Sequence, residues 1–170
     1  MAETLTVKNL RDCTLTIYDG DSPVNEAIVA FSEGNLQYTE TEQIEQHLDR
    51  GDLSHMRQGD EVPVTGSFSA RFTEFLSQGD NRVTIREALK MEGAAAAWVS
   101  TNDDNGDVVT VGLKFRINTP ETAELDELVD FGKCHIDSIQ FQEGAPANTI
   151  SVNFTDFETA PTINKIADGS

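Results

Sequence analysis

Basic residues are scarce in this chain. Twelve Lys and Arg stand against 30 Asp and Glu, a formal charge of −18 over 170 residues. Affinity for nucleic acid comes largely from cations that neutralise phosphates, so the charge argues against DNA or RNA binding as the main activity and leaves open only a local basic patch. The few bases are scattered, with Arg82 and Arg86 the densest pair. The acidity itself reads first as solubility, and second as a surface that does not adhere to DNA. Cysteine is equally sparse: Cys13 and Cys134 lie far apart with no CxxC motif, which points to reduced structural thiols in a cytoplasmic setting. The N-terminal segment MAETLTVKNL lacks the basic and apolar regions of a secretory signal. No apolar run approaches the roughly twenty residues needed to span a bilayer. A soluble protein made in the cytosol, with no membrane anchor, is the expectation.

Catalytic patterns are missing too. There is no G-x-S-x-G elbow, no P-loop and no G-x-G-x-x-G. A Ser, His and acid that meet only in space leave no linear pattern, so that class stays open at this point. Acid pairs are common simply because acid is common. Of the three histidines, His47 and His55 are eight apart, which matches no zinc spacing, and the neighbours Cys134 and His135 would point to opposite faces of a strand. Asp103, Asn105 and Gly106 invite comparison with a calcium loop, but Thr101 and Gly112 fall where the first and twelfth ligands belong. Arg50-Gly51-Asp52 reads as a glycine-centred turn, and Asn153-Phe154-Thr155 as a sequon that would go unused without secretion. No catalytic residue, metal ligand or cofactor is expected.

What the chain does have is alternation. Val62, Val64, Gly66, Phe68, Ala70 and Phe72 fall on one face, and Thr65, Ser67, Ser69, Arg71 and Thr73 on the other. Period two over eleven residues marks a strand in a sheet with one buried and one wet face. Leu15 and Ile17 alternate with Thr14, Thr16 and Tyr18, and Asp19-Gly20-Asp21-Ser22-Pro23 makes a turn. Ala27 to Phe31 is a continuous apolar run, expected as a strand buried on both faces and broken by Gly34-Asn35. Leu36 and Tyr38 open a strand that enters a long polar span from Thr39 to Glu61. Connections that long are uncommon without a job. Within it, Thr41 to Asp49 reads equally as a short helix or a strand.

Thr84 with Glu87 three residues on forms a capping box, and Ile85, Ala88 and Leu89 make a helical stripe closed by Gly93. Ala94 to Ser100 is expected to meet the alternating run Val109, Val111, Leu113, Phe115 and Ile117 through a hairpin connector at 102–107. Leu125, Leu128 and Val129 after Pro120 suggest a short helical turn. His135 to Gln142 and Thr149 to Phe157 close the chain as two strands. SFSARFTEF and TISVNFTDF both end in Phe-Thr-acid-Phe, where a shift of the buried face suits a bulge or a strand end. About eight strands with one firm helix and mostly hairpin links predict a single mainly β domain over 1–170, an antiparallel sandwich or barrel with one flanking helix.

The order EGNLQYTE, a long span containing LDRGDLSHMRQGDEVPV, then SFSARFTEF resembles the tail tube proteins of long-tailed bacteriophages. The closing pair DSIQFQEGAPANTISVNFTDFE is similar to that family's C-terminal strands, so the resemblance covers roughly residues 12 to 76 and 134 to 158. It implies a structural virion protein in the tail, not an enzyme, with a β-sandwich assembled as homohexameric rings stacked into a tube. DNA would pass through the lumen without specific binding, and the partners would be tail tip, tape-measure and terminator proteins. The family's long loop maps onto 39–61, which makes Leu48, Asp49, Arg50, Gly51, Arg57, Asp60 and Glu61 candidates for the subunit interface, several of them as intersubunit ion pairs. Thr65, Ser67, Ser69, Arg71 and Thr73 become candidates for the inner barrel wall. The alternatives are another tail part of related fold, such as an adaptor or the inner tube of a contractile tail, and a small acidic β-domain that binds a ligand or hydrolyses one.

Overall fold

The structure is a computed structural model and describes residues 13–77, 83–102, 108–118, 125–144 and 148–166, with backbone alone at 30–34, 52, 54 and 72–77. Nine strands and one α-helix are present among the described residues: β1 (Cys13–Tyr18), β2 (Glu26–Thr39), β3 (Ile44–Asp49), β4 (Asp52–Gln58), β5 (Val64–Ser77), α1 (Ile85–Lys90), β6 (Val111–Ile117), β7 (Asp126–Gln142), β8 (Thr149–Asp156) and β9 (Thr162–Ile166). All pairings are antiparallel. The large sheet runs β6-β1-β2-β5-β8-β7-β9, and β6 also pairs with β7, so six strands close on themselves. Closure leaves sandwich and barrel as two descriptions of one object, as the alternation predicted.

Three strands turn the corners. Between β2 and β5 the register slips on both sides of Phe31, leaving Ser32 and Thr73 unpaired, and between β7 and β8 it slips between Ile136 and Ser138. Bulges of this kind bend a strand and raise its twist, so β2, β5 and β7 each serve both layers. The first Phe-Thr-acid-Phe echo thus sits at a bulge as expected. The second does not shift its buried face: Val152, Phe154 and Asp156 are all buried, β8 ends, and Phe157 is exposed.

The core follows from period two. Leu15 and Ile17, Leu113 and Phe115, Phe68 and Ala70, and Ile150, Val152 and Phe154 all point inward. Four phenylalanines meet at its centre, with Phe68–Phe115, Phe115–Phe131 and Phe131–Phe154 edge to face at 5.3, 6.0 and 5.1 Å. Such pairs contribute about 0.5–1.5 kcal/mol beyond their burial. Gly66 faces Phe154 across the sheet, and a Cβ there would lie 2.4 Å from the ring; the missing side chain is the space the ring fills. Helix α1 packs against β1, β2 and β7 and buries Ile85, Ala88 and Leu89 in the core. Its cap has both halves of the box, and the left-handed residues are Met91 (φ 51°) and Gly93 (φ 56°). Cys13 and Cys134 are free and buried, and burial pushes the Cys13 thiol up to about 12.

Several expectations are corrected. Gly34-Asn35 does not break the chain, because both residues pair with Ala70 and Ser69 inside β2. Ile28 is only partly buried, so the described part of the Ala27 run is fully covered on one face. Ala94 to Ser100 forms no strand. It makes a 3-10 turn at Gly93–Ala95 and a loop tied down by the Val99 carbonyl accepting from Gly20 N–H (2.9 Å) and the Asp19 carboxylate accepting from Val99 N–H (3.2 Å). Leu128 and Val129 belong to β7 and not to a helix, since β6 and β9 pair with them from both edges. The calcium-like Asp103 to Gly106 segment lies outside the described residues.

Candidate functional site

The long span is a β-hairpin. Arg50 and Gly51 form its two-residue turn, with φ of 52° and 92°; two positive φ values match the right-handed twist of flanking strands. Strands β3 and β4 form a separate two-stranded sheet, with Ile44 opposite Gln58, Glu45 opposite Arg57, Gln46 opposite Met56 and His47 opposite His55. A bulge follows, after which Leu48 faces Leu53 and Asp49 faces Asp52. Every described side chain from Ile44 to Gln58 is exposed.

This arm has two unlike faces. One gathers Ile44, Leu48, Leu53 and Met56, exposed by 56, 65, 56 and 54%. The other carries the Glu45–Arg57 ion pair at 3.1 Å and the stacked rings of His47 and His55, 4.7 Å apart. Solvated pairs of this kind contribute little. The apolar side chains are the anomaly: an isolated two-stranded hairpin is at best marginally stable in water, and grouped exposed apolar residues mark contact surfaces.

Of the interface residues expected from sequence, Leu48 lies on the apolar face. Asp49 flanks the turn, Arg50 and Gly51 make it, and Asp60 and Glu61 are exposed in the return segment. Arg57 is already engaged by Glu45 within its own arm. Ile44, Leu53 and Met56 were not among the expected residues. Their signal was the hairpin itself, apolar side chains facing each other across Arg50-Gly51, and the one-residue bulge disguises it.

A second surface lies on the four-stranded half of the barrel, where residues from β2, β5, β8 and β7 line up in rows. Asn35, Ser69, Ser151 and Gln140 form one row; Gln37, Ser67, Asn153 and Ser138 the next; Thr39, Thr65, Thr155 and His135 a third. Hydroxyl and amide groups cross-link them, Asn153 Nδ2 donating to Ser138 Oγ at 2.8 Å and Thr155 Oγ1 to Asp137 at 2.9 Å. Thr65, Ser67, Ser69 and Arg71 stand on this face as the alternation placed them. Thr73 sits in the bulge, outside the regular rows, and its side chain lies outside the described ones. Arg71 and Asp137 are the face's Arg, Lys, Asp or Glu among the described side chains. Charge is therefore sparse among the described side chains of this face.

Both sides of this half-sheet are open among the described residues. β1 pairs with β2 only as far as Ala30, while β5 follows β2 to Thr39. β6 reaches Cys134 on β7, while β8 continues to Gln142. Open strand edges are templates for pairing with another chain.

Titratable groups with perturbed environments sit elsewhere. Asp156 is fully buried at the end of β8, and its Oδ1 accepts from Lys133 N–H at 3.0 Å while Oδ2 finds no hydrogen-bond partner among the described residues. Burial, reinforced by the Glu158 and Asp130 charges, pushes its carboxyl up to about 6. Tyr18 donates to Asp130 at 2.8 Å, and Lys114 lies 4.0 Å over the Tyr18 ring. Burial and that acceptor raise the phenol well above its ordinary value. No group of three or more His, Cys, Asp or Glu stands close enough to hold a metal among the described residues. No described helix is long and apolar enough to cross a membrane.

No family model matches this sequence, and no curated relative does. Among solved structures, the chain is similar to the SPP1 tail tube determined by solid-state NMR and cryo-EM, at 12% identity and a TM-score of 0.47, over 93% of this chain and 79% of that one. It is also similar to a chain of the virion of a native gene transfer agent particle, at 13% identity and a TM-score of 0.41, over 95% of this chain and 100% of that one. A likeness at this level assigns by itself neither activity nor partner.

Proposed function

We propose that this protein is a structural, non-enzymatic subunit that assembles with copies of itself into the tube of a phage tail. The observation that carries the reading is the arm: Ile44, Leu48, Leu53 and Met56 form an exposed apolar face on a two-stranded sheet that stands apart from the barrel. Such a face is stable when covered, and a second subunit of the same kind would cover it. A further feature supports the reading. Among the described residues, the half-sheet β2-β5-β8-β7 has two open edges on opposite sides, so identical copies can join edge to edge and close a ring, here a hexamer. The arm then joins rings end to end, a heterologous contact that repeats without closing and yields a filament.

In that assembly the rows that begin at Asn35, Gln37 and Thr39 would line the lumen. Phosphate affinity needs cations, and this face offers Arg71 alone among its described side chains. DNA would pass along a wall of hydroxyl and amide groups that neither neutralises nor strongly repels it. Asp49, Arg50, Asp60 and Glu61 would fix the register between rings, since charges desolvated at an interface select partners. Tail tip, tape-measure and terminator proteins would start, measure and end the tube, which would place the protein in the virion after synthesis in the host cytoplasm.

Electron microscopy of concentrated purified protein, with and without tail tip complexes, tests the reading. Stacked rings with an open lumen are expected, and a variant lacking residues 41–58 should keep its barrel yet fail to extend tubes. A strict monomer under every condition, or normal tubes from the deletion variant, would overturn it.

A further inference from the structure

We propose that His47 and His55 form a two-imidazole site on the arm for a divalent transition cation of the zinc or nickel class. Eight residues apart in sequence, they match no linear zinc pattern. The Arg50-Gly51 turn changes that by placing them directly opposite each other in the β3–β4 register. Their rings stand face to face, 4.7 Å between centroids and 19° from parallel. Side chains directly opposite on paired strands have Cβ atoms about 4.5–5.5 Å apart, and two metal–nitrogen bonds of about 2.0–2.1 Å bridge nitrogens up to about 4 Å apart. Chelation asks each exposed ring to turn about its own bonds until a nitrogen of each meets the cation.

The surroundings suit a cation of borderline softness, for which imidazole is a favoured ligand. Glu45 lies on the same face, its Oε2 3.9 Å from His47 Nε2. That oxygen also accepts from Arg57 Nε at 3.1 Å, so the carboxylate contributes charge beside the site while the two imidazoles supply the bonds. Water completes the coordination, which makes the site open and exchangeable rather than a closed structural centre.

Occupancy would have a mechanical effect. A cation bound across β3 and β4 ties together a hairpin that is marginal by itself, and binding that requires the folded form stabilises it. Side chains alternate between faces, so the ligands project away from Leu48 and Met56. The cation would order the arm and leave the apolar face free. This inference does not depend on the assembly reading, because the pairing lies within one chain.

Calorimetric titration of the full chain with Zn2+ at neutral pH tests it, with His47→Ala and His55→Ala as arm variants and His135→Gln as the control. One equivalent should bind, and losing either arm ligand should weaken binding about tenfold or more, with the control unchanged. Amide exchange across 44–58 should slow when Zn2+ is added to the unaltered protein and not when added to the arm variants. Three results would overturn the site. They are no saturable binding, binding that both arm variants keep (carboxylates of the acidic surface), or dependence on only one of the two histidines. Both arm histidines are solvent-exposed, so these variants fold.

Discussion

Replacing Leu48 and Met56 with serine should abolish tube growth without unfolding the subunit. In the free chain these side chains are 65 and 54% exposed, so the monomer gains little from them, and surface changes of this kind usually stay within about 0.5 kcal/mol. In the assembly both would be covered. Burying a Leu or Met side chain fully is worth about 1.5–3 kcal/mol, and since each already hides a third to a half of its surface, roughly 1–2 kcal/mol remains for each. The double substitution should then cost about 2–4 kcal/mol per subunit added. At 1.4 kcal/mol for each factor of ten, the critical concentration would rise roughly 30-fold to several hundred-fold. The assay is sedimentation of tubes grown on preformed seeds over a concentration series, beside a thermal melt of the unassembled protein. An unchanged critical concentration would refute the role of the apolar face. A large fall in the melting temperature would show instead that these residues hold the subunit together.

The interior makes its own predictions. Phe154→Ala removes the ring that packs on Phe131 and fills the space above Gly66, and denaturant unfolding should show a loss of about 3–5 kcal/mol. Asp156 has a folded pKa raised to about 6 from an ordinary 3.8, so the fold favours its protonated form. Its contribution is most favourable below about pH 4 and is lost as pH rises toward 6. Stability measured from pH 4 to 7 should therefore decline less steeply in Asp156→Asn than in the unaltered protein, and identical pH profiles would contradict this. Thr84→Ala deletes the hydroxyl that accepts from Glu87 N–H and should cost about 1 kcal/mol, seen as a lower unfolding midpoint with an unchanged denaturant slope.

The parts of the fold that were legible are those where one physical signal dominates. Val64 to Ala70 bury every second residue apart from Gly66, which Phe154 covers, and period two reads directly. Thr84 and Glu87 satisfy each other's backbone groups, and the capping box marks the helix start. The arm was legible in its turn at Arg50-Gly51 and, as one of two equal readings, in a strand within Thr41 to Asp49. Its strands bury nothing in the free chain, and the bulge beyond His47 breaks the alternation that would have revealed a shared apolar face. Strand β9 escaped for a related reason. Thr162 to Lys165 are exposed, and the strand exists because β7 offers it an edge, a long-range pairing without a local pattern. Leu128 beside Val129 imitates a helical stripe, and only the pairing on both edges makes it a strand. The two histidines of the arm show the same limit: spacing along the chain says nothing of His47 and His55 until the turn folds one onto the other.

In the proposed assembly the apolar face of the arm touches another copy of this chain. A photo-crosslinking residue at Met56, activated in assembled material and read by mass spectrometry, tests that contact directly. Crosslinks between subunits are expected, and none from Met56 to its own barrel. Crosslinks confined to one chain, or tubes in which Met56 reacts only with solvent, would contradict it.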